Sequence, residues 1–290
     1  VGTLSVPRVD AGVQPLVVAF GGDVHFERHL SVLDVPGKLD PLRELLAADL
    51  AIINLETSIG SGGHRERKSY TFRAGISHAK ALTAVGVDAV AVANNHFLDY
   101  GPRTAMRSLD ILKRIGLPAV GAGGDVVRAV TPVILDAGAG RKVALFSVTT
   151  GEPFADFNES HWVAGNDTPG LLFWESHRSQ LLDAVRSERA AGRHPVVMVH
   201  WGDELRACPT ELRRRVGRAL VDAGAVSVIG SHPHVLGPVE NYRGSTIAYS
   251  LGNFIWYHRR PAETAALVVR IDSEGKTSYK VRPALIGDDG

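Results

Sequence analysis

The sequence predicts an α/β fold, and three observations lead to it. Short, continuous apolar runs at 16–20, 50–53, 89–92 and 119–120 have the length and composition of buried strands. Helical spacing of apolar residues fills the gaps at 39–48, 79–85 and 104–115, an order that favours a mainly parallel sheet. The last third changes character. Its strand-like stretches at 235–242, 245–251, 264–272 and 277–285 are joined by short turns, so a second, antiparallel sheet in the same domain is expected.

The elements follow in order. Pro41 and Pro102 stand at the starts of the first and third helical patterns, where a missing N–H leaves no bond unmade. The stretches 131–135 and 142–148 flank the turn-rich Asp136-Ala137-Gly138-Ala139-Gly140 and read as a hairpin. Residues 149–172 mix Gly, Pro, Asp, Asn and aromatics without a period, and are expected to form a lid loop over the site. A helix at about 175–191, a strand at 195–199, a helix at about 210–223 and a strand at 226–229 complete the middle of the chain. No linker rich in Pro, Gly or Ser interrupts it. The expectation is one domain over 1–290, with 1–15 as an N-terminal extension.

Composition excludes several classes of function. With 44% hydrophobic and 22% charged residues, the 290-residue chain can bury a sizeable core. Thirty-two basic against 31 acidic residues leave a net charge of +1, which speaks against a broad nucleic-acid footprint. Arg65, Arg67 and Lys68 form a small basic patch beside Gly60-Ser61-Gly62-Gly63, read either as a solvated loop or as a mobile loop that meets an anionic substrate. Cys208 is the lone cysteine, so no intrachain disulfide forms and a metal site must use O and N ligands. No apolar run approaches the ~18–20 residues of a membrane-spanning helix. Residues 1–15 show no signal peptide. The expected location is cytoplasmic, or extracytoplasmic if an upstream signal or anchor was removed.

Six polar clusters each follow an apolar run: Gly21-Gly22-Asp23-Val24-His25, Asn54-Leu55-Glu56, Asn94-Asn95-His96-Phe97-Leu98-Asp99, His200-Trp201-Gly202, Gly230-Ser231-His232-Pro233-His234 and Gly252-Asn253. Metal sites in α/β proteins are built this way, with one or two ligands from each of several loops at the sheet edge. Asp23 and His25 lie two apart on an extended chain and so point to the same side. His232 and His234 flank Pro233, and can share one ion or serve one each. His200 and Glu56 end strands, and a carboxylate can bridge two cations. Asn95 offers a neutral oxygen, while His96 is free to move a proton. Seven O and N donors exceed what one tetrahedral zinc needs. They suit two ions roughly 3.5–4 Å apart that share a carboxylate and a water or hydroxide, with Mn, Fe or Zn ahead of Ca or Mg.

The blocks Gly22-Asp23-Val24 with Arg28, Asn54-Leu55-Glu56, Ala93-Asn94-Asn95-His96 with Asp99-Tyr100-Gly101, His200-Trp201-Gly202, Gly230-Ser231-His232-Pro233-His234 and Tyr249-Ser250-Leu251-Gly252-Asn253-Phe254 resemble the CapA/PgsA family. These are the poly-γ-glutamate capsule synthesis proteins, which are similar to calcineurin-like metallophosphoesterases. The resemblance covers about 16–257 and implies a two-sheet β-sandwich flanked by helices. It implies that Asp23, His25 and His234 bind a first metal and that Asn95, His200 and His232 bind a second. Glu56 would bridge the two, where phosphoesterases usually have an aspartate. His96 matches the histidine that protonates the leaving group, Asp99 is placed to orient it, and Arg28 would hold an anionic group of the substrate. Many members lack a histidine at the position of His25, and many carry an N-terminal membrane anchor that 1–15 does not show.

The leading expectation is therefore a dinuclear-metal hydrolase. A metal-bridged hydroxide would attack a phosphate ester or anhydride, with an anionic small molecule or polymer as substrate. One alternative keeps the metals and cleaves, transfers or cyclises an amide or γ-glutamyl bond in a biosynthetic pathway. Another is a non-catalytic accessory protein of poly-γ-glutamate synthesis.

Overall fold

A computed structural model describes residues 14–151, 159–258, 261–288 and 290. Most of the expected N-terminal extension and the middle of the expected lid lie outside the described residues. Two mixed sheets carry the fold. The seven-stranded sheet runs in the order Thr277–Leu285, Glu263–Ile271, Leu16–Val24, Leu50–Leu55, Ala89–Ala91 and Ala119–Val120, with Asn253–Ile255 also pairing to Leu16–Val24. Leu16–Val24 and the three strands that follow it in this order are parallel, as the β-α-β-α order requires. The six-stranded sheet runs Val239–Tyr242, Ser245–Ala248, Ser227–Ser231, His194–His200, Lys142–Thr149 and Val133–Asp136.

Alternation along each strand sends side chains to two different cores, which explains the continuous apolar runs. Leu16, Val18, Phe20 and Ile52 face Leu145, Val196, Met198 and Ile229 in the layer between the sheets. Ala19, Ala51 and Ile53 point outward under Ile76–Ala84 and Pro102–Arg114. On the far side, Phe146, Val197 and Val199 pack under Trp174–Ala190 and Glu211–Asp222. Both sandwich faces are thus covered by helices, as the resemblance implied. None of the helices described is long and apolar enough to cross a membrane.

The C-terminal third departs from the expectation of a separate antiparallel sheet. Its two hairpins form where the turns predict, but each joins a different sheet. Val239–Tyr242 and Ser245–Ala248 extend the six-stranded sheet, where Ser245–Ala248 runs parallel to Ser227–Ser231. Glu263–Ile271 and Thr277–Leu285 extend the seven-stranded sheet, antiparallel to Leu16–Val24. Hairpin pairing is local and legible in turn chemistry, whereas the edge that a hairpin joins is decided by distant packing. The first helix is also shorter than its pattern, at Pro41–Leu45.

One close approach fixes the sheet end that matters. The Asp23 N–H donates to the Gly252 carbonyl at 2.9 Å, and a Cβ on Gly22 would stand 2.0 Å from that same oxygen. Gly22 is therefore required by the approach of Gly252, where any side chain would push the strands apart. The segment 159–172, the far part of the expected lid, carries Glu159–Trp162 and Gly170–Leu171, with Trp162 fully buried.

Candidate metal centre

The carboxyl ends of the central strands of both sheets meet at one place. Asp23 is the penultimate residue of Leu16–Val24, Glu56 follows Leu50–Leu55, His200 ends His194–His200, and His232 follows Ser227–Ser231. Asp23, His25, Glu56, His200, His232 and His234 are all buried. Asn95 is half-buried.

Two groups of side chains bring their donor atoms within 4.8 Å of one another: Asp23, Glu56 and His200, and Glu56, His232 and His234. Glu56 belongs to both. Its Oε1 lies 3.8 Å from His200 Nε2 and 3.9 Å from His96 Nε2, and has no hydrogen-bond donor among the described residues. Burial, then the neighbouring Asp23 charge, push the Glu56 carboxyl well above the usual range. A carboxylate held in that state without a cation is costly. The donor set fits divalent ions for this reason, since positive charge at Oε1 removes the cost.

The other donors are held by a network. Asp23 Oδ1 accepts the Asn54 amide at 2.8 Å, and Oδ2 accepts the His232 N–H at 3.1 Å and lies 3.2 Å from His234 Nδ1. His200 Nε2 lies 3.0 Å from Asn95 Oδ1, and its Nδ1 lies 3.0 Å from Ser231 Oγ. His232 and His234 both adopt left-handed backbone, with φ of 93° and 56°, a strain tolerated where surrounding contacts over-determine it. Burial is the first cause that lowers the pKa of His25, His96, His200 and His232 well below the usual value. Neutral imidazoles are the form that ligates metal.

His25 stands outside both groups. Its ring stacks on Phe72 at 4.3 Å and meets the edges of Trp256 and Tyr257. Its Nδ1 accepts the Glu27 N–H at 3.1 Å, while its buried Nε2 has no partner among the described residues. Accepting at Nδ1 places the proton of a neutral ring on Nε2, so ligation through Nε2 would first give up that bond. Such a bond contributes about 1 kcal/mol net, against apparent binding energies of about 10–16 kcal/mol shared among four ligands at structural zinc sites.

His96 and Asp99 meet side by side. His96 Nδ1 lies 2.7 Å from Asp99 Oδ2, which also accepts the Phe72 N–H at 2.6 Å. Phe72 stacks on His96 as well as on His25, at 4.0 Å, so its ring separates the two histidines. Burial pushes Asp99 up to about 7, with Lys68 and the Phe72 N–H pulling it back down. Arg28 sits on the rim with φ of 59°, and its guanidinium lies 4.5 Å over the Tyr257 ring. Trp201 packs in the core and donates to the Tyr249 carbonyl at 2.9 Å.

Sequence reasoning gave no role to Asn54, Asn94, Phe72 or Ser231, and placed Lys68 in a solvated or substrate-facing patch. Asn54 had a signal, because it lies two residues before Glu56 on one strand and the parity that joins Asp23 to His25 applies equally. Asn94 links the loops, donating to Asn54 Oδ1 and the Leu55 carbonyl and accepting the His96 N–H. Asn253 lies beside Asp23 in register, fully buried, with neither amide atom partnered among the described residues.

The profile of the bacterial capsule synthesis protein PGA_cap matches residues 17–258. A probable polyglutamine synthesis accessory protein of Mycobacterium tuberculosis is 31% identical over 221 residues, covering 73% of this chain and 57% of that protein. The PGA biosynthesis protein CapA of Bacillus subtilis is 31% identical over 206 residues, covering 70% of this chain and 52% of its own length. The chain thus spans somewhat over half the length of these relatives. Among solved structures, a phosphatase from Mycoplasma pneumoniae aligns over 94% of this chain and 95% of its own, with a TM-score of 0.57 and 13% identity. At that identity the likeness speaks for the fold alone.

Proposed function

This chain belongs to the bacterial capsule synthesis protein PGA_cap family, and on that premise we propose that it is a dinuclear-metal-dependent hydrolase acting on a phosphate ester or anhydride. One observation carries the reading: Glu56 is shared by both donor groups, and its Oε1 is buried without a donor. Two divalent ions, of Mn, Fe or Zn on the donor chemistry, would lower the pKa of water and neutralise charge that builds on the substrate oxygens.

The chain's own residues would do the rest. Asp23, Glu56, Asn95, His200, His232 and His234 would hold the ions, with His25 joining through Nε2. Asn54 would orient Asp23 through its bond to Oδ1, and Ser231 would orient His200 through its contact with Nδ1. His96 would give the leaving oxygen the proton that Nε2 carries when the ring is doubly protonated, while its Nδ1–H stays held by the Asp99 carboxylate. Arg28 on the rim attracts an anionic group and steers the substrate inward.

The names of relatives speak of PGA biosynthesis and of an accessory protein. An amide or γ-glutamyl substrate would use the same donors and the same Arg28. A purely accessory role has no use for the buried His96–Asp99 pair. The test is metal analysis of metal-replete protein followed by a panel of aryl phosphates, nucleotides and γ-glutamyl amides. About two ions per chain and turnover of phosphates, abolished in His96→Ala with metal retained, is the expected result. Fewer than about one ion per chain would sink the dinuclear reading, and turnover of amides alone would replace the phosphate one.

A further inference from the structure

The basic loop 65–68 divides its residues between two destinations. Arg65 and Arg67 are exposed, and Arg65 Nε donates to Thr71 Oγ1 at 2.6 Å. Lys68 turns inward, with its side chain 7% exposed. Its Nζ lies 2.6 Å from Asp99 Oδ1, donates to the Asn95 carbonyl, and lies 5.2 Å from the centre of the Trp162 ring. The Glu66 N–H donates to the Asp99 carbonyl at 2.8 Å, so the backbone pins the same loop to the same turn.

Burying an ammonium is costly unless a partner compensates it, so the location of Lys68 demands a reason. The two oxygens of Asp99 have different occupants. Oδ2 meets His96 Nδ1 and the Phe72 N–H, and Oδ1 meets Lys68. With Oδ1 released, the carboxylate is anchored at one oxygen and free to tilt about its Cβ–Cγ bond. The His96 ring then loses the reference that sets its plane. The second tie, to the Asn95 carbonyl, fixes the peptide between a metal-ligand candidate and the proton donor next to it.

We propose that Lys68 is a positioning residue, which locks the Asp99 carboxylate and the Asn95–His96 peptide so that His96 presents Nε2 at a fixed angle to the metal centre. This rests on His96 as the proton donor. The alternative is that the ion pair merely anchors the loop, and the two roles differ in what they do to His96.

The test uses the full chain with Lys68→Met, Lys68→Arg and, should the first fold poorly, Lys68→Gln. In metal-free protein labelled with 15N-histidine, the wild type is expected to show a downfield His96 Nδ1–H signal. Lys68→Met or Lys68→Gln should broaden or lose it with a changed tautomer balance, and Lys68→Arg should restore it. In metal-loaded protein, the rate loss of Lys68→Met should rise with leaving-group pKa. It should go from within about threefold on 2,4-dinitrophenyl phosphate to on the order of 10²-fold on phenyl phosphate. An unchanged His96 signal in the neutral variants, or a loss equal at every leaving group, overturns the proposal. If the wild type hydrolyses none of the series, the hydrolase reading fails and the His96 signal alone decides the role of Lys68.

Discussion

The Asn54 side-chain amide donates to Asp23 Oδ1 at 2.8 Å, and the same nitrogen lies 3.4 Å from His200 Nδ1 and 3.5 Å from Glu56 Oε2. One neutral group thus faces three metal-ligand candidates at the ends of three different strands. Its own oxygen is held by Asn94 at 3.1 Å. Removing it should loosen the ligands while sparing the fold, because Asn94 keeps its bond to the Leu55 carbonyl at 2.9 Å. We predict that Asn54→Ala weakens metal binding by about 10–100-fold, measured by competition with a chelator. An unchanged affinity would show that Asp23 and His200 are oriented without it.

His25 offers a sharper test of which donors count. Its ring belongs to an aromatic wall with Phe72, Trp256 and Tyr257, so His25→Phe preserves most of the packing and removes the nitrogens. The expected outcome is loss of one ion at limiting metal, from about two per chain to about one, with stability lowered by less than about 1.5 kcal/mol. Retention of both ions would make His25 part of the wall, with its Nδ1 bonded to Glu27 as the resting arrangement.

How much of this was legible in the sequence depended on range. The strand ends were legible, because an apolar run followed by a ligand-type residue is a local pattern, and Asp23, Glu56, His200 and His232 all lie at such ends. Parity also placed Asp23 and His25 on one side, although in the structure only Asp23 joins a donor group. Lys68 was read as part of an exposed or substrate-facing patch. Nothing near it in the chain announces a partner 31 residues away at Asp99, and only the folded loop brings them together. The same limit hid the approach of Asn54 to Asp23 and His200, 31 and 146 residues away, whereas its place two residues before Glu56 was a local signal. The division of the C-terminal hairpins between sheets was hidden for this reason too, since turn chemistry says nothing about which open edge receives them.

The buried histidines make stability depend on pH, and the sign can be worked out. His25, His96, His200 and His232 are all held well below the usual value of 6.5, with burial the first cause. As pH falls below 6.5 the unfolded chain takes up protons at these positions and the folded chain does not, so stability is present above that value and lost beneath it. Glu56 and Asp99 oppose this, because their carboxyls are raised. The folded chain therefore keeps protons that the unfolded chain releases above about pH 4, up to about pH 7 at Asp99. Four histidines outweigh two carboxyls, even before His177 and His194, which burial also lowers. Metal-stripped protein should therefore melt at a lower temperature at pH 5.5 than at pH 7. Each uncompensated proton contributes up to about 1.4 kcal/mol per pH unit. Bound metal should steepen the loss, because protons and ions compete for the same nitrogens. A melting temperature that stays flat or rises between pH 7 and 5.5 in the stripped protein would mean that the carboxyls dominate, and that Glu56 and Asp99 are the groups whose protonation the folded centre favours.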